Sequence, residues 1–245
     1  RGEPIGPPDE LDMSAWARVK DVLSQRQVWW NGLYCGLTFA VNSAFAGLWG
    51  VPYLESVYGY GYIESAWLSS LIFLGVMLGS VLIPFLCDRL RSRRLVMLWA
   101  SLLGAIAMSL LLLFTLKNLL WVASILILIG VCSAVYIVPF ANTRNLIARQ
   151  SRGLAMAFTN TCCIAIGAPI LQPLIGWVLH HDLHATQSGH FNPWLFKLAM
   201  WSVVACFVLA FMLAKIIDDV SEDVHTMTPS EMIMDDLDNT NITVD

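Results

Sequence analysis

Six stretches of the chain stay apolar for about twenty residues each, at approximately 28–50, 66–87, 95–116, 119–141, 154–179 and 195–217. Each approaches the ~20 residues with which an α-helix crosses a hydrocarbon core of ~30 Å. A bilayer core offers backbone N–H and C=O groups no water, so segments of this length satisfy them internally as helices. Membrane strands are about half as long and alternate in polarity, and these runs do neither. The expected fold is therefore an all-α membrane protein, a six-helix transmembrane bundle over 28–217. Composition agrees, with 57% hydrophobic and 13% charged residues where soluble domains carry about a quarter charged.

The flanks differ from the bundle. Positions 1–13 are rich in proline and acid, among them Pro4, Pro7, Pro8, Asp9, Glu10 and Asp12, and read as a linker. Over 14–27, Trp16, Val19, Val22 and Leu23 share one helical face while Arg18, Lys20 and Arg26 lie on others, which suits an amphipathic helix on the membrane surface. Residues 1–27 are thus expected to be a cytoplasmic linker with an amphipathic helix. The chain begins with Arg1 and no cleavable apolar leader follows, so it reads as cut from a longer polypeptide. Residues 218–245 gather Asp218, Asp219, Glu222, Asp223, Glu231, Asp235, Asp236, Asp238 and Asp245, an acidic cytoplasmic tail expected to be disordered. The sequon at Asn241-Ile242-Thr243 would there escape glycosylation.

The 14 Lys and Arg residues fix an orientation, because short cytoplasmic loops retain positive charge. Arg1, Arg18, Lys20 and Arg26 precede the first run; Arg89, Arg91, Arg93 and Arg94 follow the second; Arg144, Arg149 and Arg152 follow the fourth; Lys215 ends the sixth. Only Lys117 and Lys197 fall on the other side. Both termini are expected in the cytoplasm, with outer loops near 51–65, 117–118 and 181–194.

Polarity separates the runs. The third and sixth carry few polar groups and can face lipid. The first holds Asn31, Tyr34, Thr38, Asn42, Phe45 and Trp49, which at ~100° per residue fall within an arc of roughly 80°. The fourth places Ser133, Tyr136 and Phe140 on one side, and the fifth contains Thr159, Asn160, Thr161 and Gln172. Runs one, four and five are expected to be internal.

Other features have plain structural readings. Gly32/Gly36 and Gly75/Gly79 have the small-x-x-x-small spacing of closely approaching helices. Pro169 and Pro173 interrupt the backbone ladder of the fifth run, producing a kink or an unwound turn. The six cysteines lie in or beside apolar runs without a C-x-x-C pair and read as small buried thiols. His180, His181, His184 and His190 crowd the last outer loop at spacings that match no metal site, so no metal is expected there. No run carries a carboxylate in its core; Glu64 and Asp88 lie at ends. Nothing resembles H-E-x-x-H, G-x-S-x-G or a phosphate-binding glycine loop, so neither catalysis nor a cofactor is expected.

Between the second and third runs the chain reads Gly79-Ser80-Val81-Leu82-Ile83-Pro84-Phe85-Leu86-Cys87-Asp88-Arg89-Leu90-Arg91-Ser92-Arg93-Arg94. An acid and a base leaving a helix, followed by a basic pair, resembles the signature loop of the major facilitator superfamily. Asp88, Arg89, Arg93 and Arg94 match it, while Pro84 stands where a glycine is usual. Gly47-Leu48-Trp49-Gly50-Val51-Pro52-Tyr53-Leu54 and Gly167-Ala168-Pro169-Ile170-Leu171-Gln172-Pro173-Leu174-Ile175-Gly176 look like the seventh and eleventh helices of bacterial members.

The resemblance implies the carboxy-terminal half of such a transporter, built from two three-helix repeats, in a bacterial inner membrane. Its partners would be the bilayer, the amino-terminal six-helix half, a small-molecule substrate and a coupling proton or other ion, with no nucleic acid. Tyr34, Thr38, Asn42, Trp49, Tyr136, Asn160 and Gln172 are the expected substrate-cavity residues, neutral hydrogen-bonders and aromatics suited to a small organic solute. Asp88, Arg89, Arg93 and Arg94 would form a conformational gate, Asp88 pairing with arginines or a neighbouring helix N-terminus in one state only. The expected function is secondary active transport as symporter or antiporter. The alternative is a non-transporting sensor or partner subunit of the same fold.

Overall fold

A computed structural model describes residues 14–147, 149–180 and 191–219, and every regular element among them is helical. Helix α1 (Ala15–Ser24) starts at Ser14, whose hydroxyl accepts from the Ala17 N–H at 3.2 Å, and turns Val22 inward and Trp16 outward. Helix α2 runs over 26–58, with α turns at Arg26–Ala40 and Gly50–Tyr53 and wide π turns at Val41–Trp49 and Leu54–Tyr58. Then follow α3 (Tyr62–Leu90), α4 (Arg93–Leu113), α5 (Leu119–Leu146), α6 (Arg152–His180) and α7 (Pro193–Ala214). Helix α5 tightens to a 3-10 turn at Ala134–Ile137, and α6 widens to a π turn at Gly167–Leu171.

Helices α3 to α7 are each long and apolar enough to cross a membrane. Helix α2 is not among these five. Its polar stripe dilutes its apolar character.

The sequence places an outer loop at 51–65, whereas the helix continues to Tyr58 and only 59–61 connect it to α3. Gly59 stops it by taking the left-handed conformation, φ +73°, which glycine adopts without a Cβ clash. The extension brings Glu55 into a helical end turn. Residues 1–13, the tail from 220 on, and His181, His184 and His190 lie outside the described residues.

Close helix pairs build the bundle. Helices α3 and α5 touch backbone to backbone: a Cβ on Gly75 would lie 2.2 Å from the Ile127 carbonyl oxygen, and one on Gly130 2.1 Å from that of Ile72. Helices α2 and α6 cross where a Cβ on Gly36 would lie 2.5 Å from the Cys162 carbonyl oxygen. Both small-residue spacings in the sequence thus mark real crossings. Helices α4 and α7 form the third pair, which packs on α5 through α4 and on α2 through α7.

Burial departs from the polarity expectation. The apolar windows of α4 and α5 are 56% buried and that of α7 44%, while those of α3 and α6 are only 28% buried. The fifth run is therefore a rim helix rather than an internal one. Its Asn160 and Thr161 are exposed, because nothing among the described residues covers that face.

Candidate functional site

Three of the irregular turns in the bundle come together, and each adjoins a proline. Pro139 follows Ala134–Ile137, Pro169 lies within Gly167–Leu171, and Pro52 follows Val41–Trp49. Proline lacks an N–H and crowds the carbonyl four residues earlier, so an α-helix yields there by tightening or widening a turn. The three segments converge in one stretch of the bundle, with the π turns of α2 and α6 packed together and the 3-10 turn against α2.

Side chains satisfy the carbonyls in this stretch. Gln172 Nε2 donates to the Ser43 carbonyl at 2.8 Å, and Trp49 Nε1 donates to that of Gln172 at 3.3 Å. Ser69 Oγ donates to the Ala46 carbonyl at 3.3 Å, and Cys35 Sγ to that of Tyr136 at 3.2 Å. The Phe39 and Tyr136 rings meet edge to face with centroids 5.2 Å apart. Phe39, Ser43, Trp49, Tyr136 and Gln172 are all half-buried, so this zone combines polar edges, aromatic faces and partial access.

Asn42, inside the π turn, is 4% exposed. Ser133 Oγ lies 2.8 Å from both Asn42 Oδ1 and the Gly130 carbonyl oxygen, yet a hydroxyl has one proton. If Asn42 accepts that proton, its Nδ2 is buried with no partner. This buried donor carries a desolvation cost of ~1–3 kcal/mol.

Other expected cavity residues sit elsewhere. Tyr34 is fully enclosed, its hydroxyl donating to the Met97 carbonyl at 2.9 Å and paired with Ser101 Oγ at 2.8 Å on α4. Thr38 is enclosed and donates within its own helix to the Tyr34 carbonyl at 2.9 Å. Asn160 is exposed on the rim. The stripe on α2 therefore divides, with Tyr34 and Thr38 turned into the bundle and Trp49 at the half-open zone.

At the arginine-rich end, Asp88 is exposed and its carboxylate forms no ion pair among the described residues. The acid seated on the neighbouring helix is Asp219, expected from the sequence in the acidic tail. It accepts from Ser92 Oγ and from the Arg93 N–H (3.2 Å) at the start of α4, where the helix dipole favours negative charge. Arg93 Nη1 donates to Asn142 Oδ1 at 3.3 Å, and Asn142 Nδ2 donates to Asn31 Oδ1 at 3.1 Å. Arg94 Nη2 donates to the Lys215 carbonyl, and Gln27 Nε2 to Asp218. This network joins the ends of α2, α4, α5 and α7. Arg89 stands outside it, exposed at the end of α3.

Five helices long and apolar enough to cross a membrane mark a multi-pass helical membrane protein. A family model described as Major Facilitator Superfamily matches residues 3–170, well over half of the chain, and the protein belongs to that superfamily. Among curated proteins, none matches.

Proposed function

We propose that this chain is the carboxy-terminal half of a secondary active transporter that moves a small organic solute by alternating access. In this reading α2 is a sixth span, the membrane is a bacterial inner membrane, and both termini are cytoplasmic. The exposed faces of α3 and α6 receive an amino-terminal six-helix half. Transporters commonly build midplane sites where interrupted helices free backbone groups, and the family assignment supplies the transporter frame.

The observation that carries the proposal is the convergence of three interrupted turns around Asn42, whose amide retains one unpartnered atom. Trp49, Tyr136 and Gln172 offer the accessible contacts of the cavity, with Asn160 on the facing rim. Tyr34 and Thr38 shape it from behind in this conformation. Asp88, Arg89, Arg93 and Arg94 act as the gate, Asp88 engaging in the state in which Asp219 withdraws from α4. A coupling proton would use an acid of the other half.

The test is counterflow of a labelled solute panel in liposomes holding the complete transporter. Asn42→Ala and Gln172→Ala are expected to raise the half-saturating concentration of the transported solute at least about tenfold, the cost of one or two lost hydrogen bonds. Unaltered saturation in both variants would remove the site. Solute binding without counterflow in the wild type would favour the sensor.

A further inference from the structure

Helices α4 and α7 pack together, and at the end of the bundle opposite the arginine-rich loop α4 stops at Leu113 while α7 begins at Pro193. A groove of about 270 Å³ opens between them there. Leu112 and Leu113 of α4 form one wall, Trp194, Leu198 and Trp201 of α7 the other, and Lys197 lies among them. The volume falls below the ~300–1,000 Å³ of pockets that enclose a whole small molecule, and it suits a length of hydrocarbon chain. Leu113 is 61% and Trp194 70% exposed, so the groove opens away from the bundle, onto lipid in a membrane.

Lys197 is the feature that packing alone does not account for. It is half-buried, and its ammonium has no hydrogen-bond or ion-pair partner among the described residues. A cation held among leucine and tryptophan side chains without an anion is costly. The described carboxylates of this end stand elsewhere. Glu64 belongs to the first turn of α3 and accepts from the Gly61 N–H at 3.4 Å. Glu55 belongs to the end turn of α2, and α2 meets α7 where the rings of Trp49 and Tyr53 lie against Phe196. At ~100° per residue Phe196 is roughly opposite the arc that holds Trp194, Lys197, Leu198 and Trp201. Lys197 also sits only four residues, ~6 Å, into α7, between two tryptophans of the kind that mark headgroup level at a membrane surface.

We propose that this groove binds one anionic membrane phospholipid, its phosphate held by Lys197 between Trp194 and Trp201 and an acyl chain lying along Leu112 and Leu198. The lysine stem follows the apolar wall while its ammonium reaches the headgroup, and the phosphate supplies the missing anion. The site requires only that α4 and α7 cross a membrane, so it stands whether or not the solute site does.

Native mass spectrometry of the complete protein, purified in detergent and titrated with equimolar phosphatidylglycerol and phosphatidylcholine, tests it. The wild type should retain one phosphatidylglycerol that Lys197→Gln does not, favoured over phosphatidylcholine at least about fivefold, the equivalent of ~1 kcal/mol for one lysine near a headgroup. Trp194→Glu leaves the lysine in place but gives it a carboxylate one turn earlier, in a first turn that favours acids, and should release the same lipid. Lys117→Gln, which removes an exposed lysine of this end outside the groove, should leave that lipid bound. Equal retention of the two lipids by the wild type overturns the proposal. So does a phosphatidylglycerol kept in full by Lys197→Gln or by Trp194→Glu, or one lost as readily from Lys117→Gln.

Discussion

Gly130 and Ser133 lie one turn apart on α5 and do different work. A Cβ at Gly130 would press against the Ile72 carbonyl, and neither backbone can retreat without parting the two helices. Gly130→Ala is therefore expected to cost ~1–3 kcal/mol and to lower Tm by at least about 3 °C, measured by thermal unfolding in detergent. Gly153, with nothing within 4 Å of its Cβ position, is the control, and Gly153→Ala should melt at or slightly above wild type. Coincident melting of all three proteins would mean that the α3–α5 contact is looser than described. Tyr34→Phe probes a different kind of residue. It removes the hydroxyl shared with Met97 and Ser101, at ~1 kcal/mol, and should lower stability while leaving solute saturation unchanged. A Tyr34→Phe protein with wild-type Tm and altered saturation would move Tyr34 into the cavity.

At the level of elements, the helical runs and both glycine crossings were legible because hydrophobic length and small-residue spacing depend on local sequence alone. The face that α2 presents was not. Projecting Asn31 to Trp49 on one arc assumes ~100° per residue throughout, but the π turns that begin at Val41 advance less per residue, so Tyr34 and Trp49 face different ways. Pro139 and Pro52 were the available signals, as Pro169 was for α6. Asp219 escaped because its role depends on where the end of α7 comes to rest beside α4, a contact 126 residues distant with no local pattern. The two acids therefore separate experimentally. Asp219→Asn weakens a charge at a helix N-terminus and is expected to lower Tm by a degree or two, for ~0.3–1 kcal/mol. Asp88→Asn, at an exposed position, should leave Tm in place and slow transport by the complete protein. Equal effects of the two substitutions on Tm would place Asp88 in the static network instead.

For the whole molecule, the proposed orientation puts Arg91 in the cytoplasm and Lys117 outside. Single cysteines at these two exposed positions, on a cysteine-free background in intact cells, are expected to react with an impermeant thiol reagent at 117 and not at 91; the reverse pattern would invert the topology. In the proposed transporter, the sparsely buried faces of α3 and α6 meet lipid and the amino-terminal half. The interrupted turns have a mechanical consequence as well. Three helices give way in the same stretch, where side-chain donors supplement their widened or tightened ladders. The glycine-packed crossing of α3 and α5 runs through that stretch, where a Cβ on Gly79 would lie 2.6 Å from that of Ala134 in the 3-10 turn. In the proposed transporter, any bending at these turns would pivot about that crossing rather than part the two helices.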